Sequence, residues 1–231
     1  MNAAPIHLAD ELLHLDPAGI VWWPGRRCLI VADLHLEKGS AMARRGAVLP
    51  PFDSRTTLER LAVLVRRYDP ARLIALGDSF HDSHGAARLE ADDKARLATI
   101  CKGREIVWVQ GNHDPAPQGG IEGVSCASLT EGRLVFRHQA ERLASGMGEL
   151  SGHFHPKASI DTRGKRIARP CFVAGGGRIM LPSFGAYTGG LDVTDAAIRA
   201  VFPRGGRAFL LGQNRLYSFA LGHTASRRLS A

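Results

Sequence analysis

Apolar positions follow two different spacings along this chain. In the first half, short uninterrupted apolar runs alternate with helical periods. Cys28 to Ala32 (CLIVA), Leu73 to Leu76 (LIAL) and Ile106 to Val109 (IVWV) are too short for helices and read as buried strands. Between the first two, Leu58, Leu61, Ala62, Leu64 and Val65 fall on one face of a helix, with Asp53 or Ser54 as its N-cap. Between the second and third, residues 88 to 102 predict another amphipathic helix, with Gly103 as its stop signal. The order is βαβαβ, which implies neighbouring parallel strands with helices packed outside.

Beyond Gly103 the pattern changes. Residues 133 to 137, 165 to 173 and 178 to 181 read as short strands separated by Gly or Pro. Residues 208 to 221 read as a closing hairpin around Gly212 to Asn214, and a short helix is expected near 194 to 200. No long helix is expected in this half. The expectation is an α/β fold of two packed mixed sheets flanked by helices, within one domain spanning 1–231. Trp22-Trp23 reads as core or hairpin packing rather than a platform for bases. The glycines at 175 to 177 read as a turn and not a phosphate cradle, because no helix follows them.

Composition narrows the class without naming it. The 231 residues are 45% hydrophobic and 23% charged, ordinary values for a folded domain and wrong for a disordered one. No run of 18 apolar residues spans a membrane. Charges interrupt the N-terminal stretch before an apolar segment forms, so no signal peptide is expected. Cys28, Cys101, Cys126 and Cys171 stand 73, 25 and 45 residues apart, so no CxxC motif exists, and unpatterned cysteines fit the reducing cytoplasm. The net charge of +8 favours polyanionic partners, although only 5 of the 30 cations are Lys, a skew that GC-rich coding also produces.

The chemistry lies just past the strand ends, where open α/β sheets place their sites. In order come Asp33-Leu-His35, Gly77-Asp78, Gly111-Asn112-His113-Asp114, His138, and Gly152-His153-Phe154-His155. Five of the ten histidines are in this set. Alternate residues of an extended segment point the same way, so Asp33 can meet His35 at one point, and His153 can meet His155. Each fragment alone is weak: an Asp after a strand is commonly a turn former, and a His in an apolar run is commonly structural. Five fragments in this order, each in or just past an apolar run, form a specific constellation. Mixed carboxylate, amide and imidazole donors suit Mn²⁺, Fe²⁺, Zn²⁺ or Ni²⁺ better than Ca²⁺.

This constellation resembles the calcineurin-like metallophosphoesterases, whose pattern is D-x-H, GD, GNH[DE], H and GHxH. Within that superfamily, ADLHLEKG at 32–39, GDSFHD at 77–82, SGHFHP at 151–156 and LPSFGAYTGG at 181–190 are similar to the bacterial ligase-associated DNA damage response phosphoesterases. The resemblance implies a four-layer αββα sandwich and two divalent metal ions, Mn²⁺ foremost. Asp33, His35 and His155 would hold one ion. Asn112, His138 and His153 would hold the other, and Asp78 would bridge them. His113 would act on the leaving group as a general acid, with Asp114 orienting its ring. Relatives commonly carry Gly before the lone histidine, whereas here Arg137 precedes His138. The implied activity is hydrolysis of phosphodiesters, DNA among them, in bacterial DNA repair, in functional association with an ATP-dependent DNA ligase, a helicase and an exonuclease, in the cytoplasm and away from membranes.

Substrate contacts are sought among His81, Asp82 and His84, with His81 foremost, and among Lys38, Arg44 and Arg45 in the segment running to Pro50-Pro51. Two rival readings remain at this stage. One is a phosphodiesterase or phosphatase acting on cyclic nucleotides or other small molecules. The other is a non-catalytic scaffold on the same fold, which would have lost ligands that this chain retains. A lipid-A pathway pyrophosphatase would read GNRD where this chain reads GNHD.

Overall fold

The computed structural model describes residues 3–50, 52–115, 119–162 and 165–222. It opens with an antiparallel meander that the sequence reading did not anticipate: β1 Ala4–Leu8, β2 Glu11–Leu15 and β3 Val21–Trp23. Its strands are short, and they turn Leu8, Leu13, Leu15, Val21 and Trp23 into the core. The expected βαβαβ unit follows. It comprises β4 Cys28–Val31, α1 Lys38–Ala43, α2 Asp53–Tyr68, β5 Arg72–Leu76, α3 Gly85–Arg88, α4 Ala91–Cys101 and β6 Glu105–Val109. β7 Val124–Cys126 adds to its edge. The first sheet is ordered β1-β2-β3-β4-β5-β6-β7, parallel from β4 onward.

The second half builds β8 Ser128–Glu131, β9 Leu134–Arg137, β10 Gly148–Ser151, β11 Lys157–Thr162, β12 Lys165–Gly175, β13 Arg178–Met180, α5 Ala196–Val201, β14 Gly206–Leu211 and β15 Leu216–Leu221. Its sheet is ordered β15-β14-β12-β13-β10-β9-β8, with β11 paired to β12. β9, β10 and β13 run parallel, and the other pairings are antiparallel.

The uninterrupted apolar runs have a direct cause. Cys28 and Ile30 of β4 face the core between the sheets, while Leu29 and Val31 face the helices. Ile74 and Leu76 against Leu73 and Ala75 repeat this in β5. A strand covered on both faces has no polar side to show. Leu58, Leu61, Leu64 and Val65 of α2, with Leu97 and Ile100 of α4, cover one outer face. Phe136, Leu150, Phe172 and Ile179 of the second sheet meet the first. Ile198 of α5, with Val193 and Phe202, covers Cys171, Val173, Met180 and Leu210 beyond. The order is helices, sheet, sheet, helix: the αββα sandwich. Trp23 is buried between the sheets and Trp22 packs on Tyr68 at 5.0 Å, so both tryptophans serve packing.

Two boundaries differ from expectation. The α2 helix is entered from Phe52 in a left-handed conformation, and neither Asp53 nor Ser54 caps it. Asp53 instead accepts from the Gly39 N–H (3.0 Å), and Ser54 Oγ accepts from the Glu37 N–H (2.8 Å). Their hydrogen-bonding capacity goes to the segment after β4. The helix expected over 88–102 breaks into α3 and α4 at Leu89-Glu90, and Gly103 lies beyond its end at φ +72°.

Candidate metal centre

Parallel strands end at one edge of each sheet, and the two edges adjoin. Asp33 stands two residues past β4, Asp78 two past β5, Asn112 three past β6, His138 one past β9 and His153 two past β10. The loops after β4 and β5 are sewn together, with the His35 N–H donating to the Asp78 carbonyl (2.8 Å) and the His81 N–H to that of Leu36 (2.9 Å).

The convergence does not come from strand pleating, as alternation would have it. Asp33, His35, Asp78, His153 and His155 all have left-handed backbones, with φ of 54°, 44°, 46°, 72° and 47°. The chain coils tightly as it leaves each strand and turns these side chains to one point. Non-glycine residues rarely adopt this conformation, and its accumulation marks stored strain at a site. Close approach explains the motif glycines. A Cβ on Gly77 would lie 2.3 Å from His138 Nδ1, and one on Gly152 would lie 2.4 Å from Asp33 Oδ2.

One cluster joins Asp33, His35, Asp78 and His155, whose donor atoms all lie within 4.8 Å of one another. His35 Nε2 stands 3.3 Å from His155 Nε2, and His155 Nε2 stands 3.3 Å from Asp33 Oδ1. Beside it, Asn112 Oδ1 lies 2.8 Å from His138 Nε2 and 3.0 Å from His153 Nδ1, and those two nitrogens are 3.0 Å apart. Asp78 Oδ2 reaches toward both clusters, 3.8 Å from His35 Nε2 and 3.4 Å from His138 Nε2. Its Oδ1 accepts from the His113 N–H at 2.9 Å.

The protonation states make these contacts informative. His138 Nδ1 lies 3.2 Å from the Leu76 carbonyl, which only accepts, so in the neutral ring the proton is on Nδ1 and the lone pair on Nε2. That lone pair faces the Asn112 oxygen, another acceptor. Acceptors crowded at 2.8–3.0 Å match the spacing of neighbouring ligands about 2.1 Å from one ion, roughly 3.0 Å in an octahedron. Burial lowers the His35 pKa to about 2, helped by the nearby His155, His113 and His81, and lowers that of His153 as well. Both rings are thus neutral donors at physiological pH. The residues present fit divalent cations.

His113 lies outside both clusters. Its Nδ1 donates to the His81 carbonyl (3.0 Å), leaving Nε2 directed at the centre, 4.0 Å from Asp78 Oδ2. Asp114, expected to orient that ring, does something else. Its carboxylate accepts from the backbone of Phe80 (3.0 Å) and Gly111 (3.1 Å), tying the loops after β5 and β6, and burial raises its pKa to about 6. The ring is held by the His81 carbonyl and by stacking on the His81 ring at 4.9 Å. His81 Nδ1 in turn meets His35 Nδ1 at 3.3 Å, and burial lowers its own pKa to about 4. Asp82 is engaged by Arg88 through two bonds of 2.8 Å. Arg137 turns away from the site toward Glu141 and the buried Glu149, so the missing glycine leaves His138 in place.

Of the cations sought as substrate contacts, Lys38 is nearest in role. It acts on both His35 and His81, and its Nζ donates to the Tyr187 carbonyl at 2.9 Å. Arg44 and Arg45 are exposed at the end of α1, and Arg45 acts on His81. Pro51 lies outside the described residues. The segment 181–190, for which the sequence suggests no role, braces Asp33. Ser183 Oγ and the Gly185 N–H both donate to the Asp33 carbonyl, at 2.8 and 3.0 Å. Its Ser-Phe-Gly between Pro and Tyr was visible, but no spacing rule links it to Asp33, 150 residues upstream.

The two-sheet sandwich is like the metallophosphoesterase fold, and likeness to solved structures supports a hydrolase acting on phosphoric ester bonds. Among solved structures the chain is similar to a Pseudomonas putida nuclease, MPE, at 27% identity and a TM-score of 0.73, over 94% of this chain and 100% of that one. It also matches Yfce, a phosphoesterase from E. coli, at 14% identity and a TM-score of 0.42, over 84% of this chain and 99% of that one. No family model matches the chain, and no curated protein matches it.

Proposed function

We propose that this chain is a phosphodiesterase that uses two divalent ions, Mn²⁺ foremost, to cleave nucleic-acid strands, with DNA repair as its setting. The supporting observation is the pair of adjoining donor clusters that share Asp78, with lone pairs facing one another and His113 directed at them from outside. Asp33, His35 and His155 would hold one ion, Asn112, His138 and His153 the other, and Asp78 both. When bound, such ions supply a water nucleophile at neutral pH and positive charge against the phosphoryl oxygens. The chain's own residues do the rest. In its imidazolium form His113 would give the Nε2 proton to the departing oxygen, while Nδ1–H stays on the His81 carbonyl and fixes the ring. His81, stacked on that ring, keeps it from rotating away. The likeness to a nuclease over nearly the whole chain favours a nucleic-acid strand over a cyclic nucleotide.

The deciding experiment is hydrolysis of bis-p-nitrophenyl phosphate and of a single-stranded oligonucleotide, with and without Mn²⁺. Turnover that appears with Mn²⁺ and vanishes with chelator is expected. A protein that binds no divalent ion, or cleaves equally well without one, overturns the reading. Association with an ATP-dependent DNA ligase, a helicase and an exonuclease belongs to the same proposal. It is tested by the DNA-damage sensitivity of deletion strains, singly and combined.

A further inference from the structure

The loop from Leu181 to Gly190 does more than brace Asp33. It is pinned to the metal-facing backbone at both ends: Phe184 and Gly185 donate to the Ala32 and Asp33 carbonyls, and Gly190 lies so close to His155 that a Cβ there would stand 2.0 Å from the His155 carbonyl. Between these anchors the loop carries Tyr187, 48% exposed and at φ +56°, a conformation rare for a bulky side chain. Two lysines converge on it. Lys38, three residues past the ligand His35, donates to the Tyr187 carbonyl, and Lys157, two past the ligand His155, lies 3.5 Å from the Thr188 carbonyl. Each ammonium has three N–H groups, so spending one on a carbonyl leaves donors for another acceptor. Asp53 is the carboxylate that acts on Lys38, and it is occupied by the Gly39 N–H.

We propose that Lys38, Lys157 and Tyr187 form a subsite for the nucleotide adjoining the scissile phosphate: the lysines contact flanking phosphates and the Tyr187 ring stacks on a base. The inference rests on the nucleic-acid reading above. Cations for the backbone and an aromatic face for bases are how proteins hold single strands without reading sequence. The anchors give the subsite a fixed offset from the metal ligands, so it selects strands over small diesters. A strained backbone under an exposed aromatic ring is a cost that packing does not require.

The test uses binding of a single-stranded phosphorothioate oligonucleotide across a KCl series, alongside kcat/KM for bis-p-nitrophenyl phosphate with Mn²⁺. The double variant Lys38→Gln/Lys157→Gln should flatten the log affinity against log salt slope by about 1.4, twice the 0.7 of one single-strand phosphate contact. Lys157→Arg should restore its share. Tyr187→Gly should raise the thermal midpoint, by relieving φ, and yet weaken binding about tenfold through lost stacking. An unchanged salt slope, or undiminished affinity in Tyr187→Gly, overturns the subsite. Failure of the wild type to hydrolyse the nitrophenyl diester overturns the catalytic reading instead, and the binding series then judges the subsite alone.

Discussion

Asp78 divides its two oxygens between backbone and centre, and that division governs what its replacement does. Oδ1 holds the His113 N–H, while Oδ2 reaches His35 and His138. Asp78→Asn keeps an acceptor for the amide but removes the charge that both clusters share. We expect the metal content to fall, read by elemental analysis after gel filtration, and diesterase turnover to drop at least a hundredfold. Full metal content with wild-type turnover would show that Asp78 is not shared. His113 behaves differently because it belongs to neither cluster. His113→Ala should keep its metal and lose about 10²–10⁴ in turnover on alkyl diesters, with a smaller loss on nitrophenyl esters, whose leaving groups need no proton. Equal losses on both would remove the acid role.

At the scale of elements, the site depends on how the chain leaves each strand. Gly77 combines φ +74° with a Cβ position 2.3 Å from His138 Nδ1, whereas Gly103, at φ +72°, has nothing within 4 Å of its Cβ position. The comparison separates two costs. Gly103→Ala should lower stability by about 1 kcal/mol, the ordinary cost of a left-handed alanine after a helix, and leave metal binding intact. Gly77→Ala carries that cost and also displaces His138, which the proposed function places on the second ion, so metal affinity should fall along with stability. Calorimetric Mn²⁺ titration of the two variants distinguishes them. If both retain wild-type affinity, the close approach at Gly77 has no functional meaning.

For the whole molecule, the covered sheets set its response to alkali. Burial raises the Cys28 and Cys171 thiols to about 12 and Cys101 to about 11, and burial together with the hydrogen bond to Asp16 raises the Tyr68 phenol. Folded pKa values above the unfolded ones mean that the unfolded chain releases protons first as pH rises. Stability is therefore full below about pH 9 and declines above it, by on the order of 1 kcal/mol per pH unit for each buried thiol. Urea unfolding between pH 8 and 10.5 measures this, and Cys171→Ala should flatten the decline. An unchanged slope would mean that the Cys171 thiol ionises as readily in the folded chain.

Sequence alone determined the parallel unit and the polar residues that stand at its edge. Strands covered on both faces must be uniformly apolar, as CLIVA, LIAL and IVWV are, and polar residues just past them have one edge of the sheet to occupy. It did not determine the opening meander, β10 or β11. The meander strands are only three to five residues long, β10 and β11 mix charged with apolar residues, and the buried Glu149 of β10 is tolerated only because Arg137 and Arg178 reach it from elsewhere in the chain. Asp114 shows the same limit within the motif. Its place beside His113 in sequence predicts a partnership with the ring, but its carboxylate bonds to Phe80, whose position depends on how β5 and β6 pair. Local pattern encodes burial, which is set by neighbours in the chain. Contacts across 150 residues, such as Ser183 on Asp33, depend on two sheets meeting, and only the tertiary structure decides them.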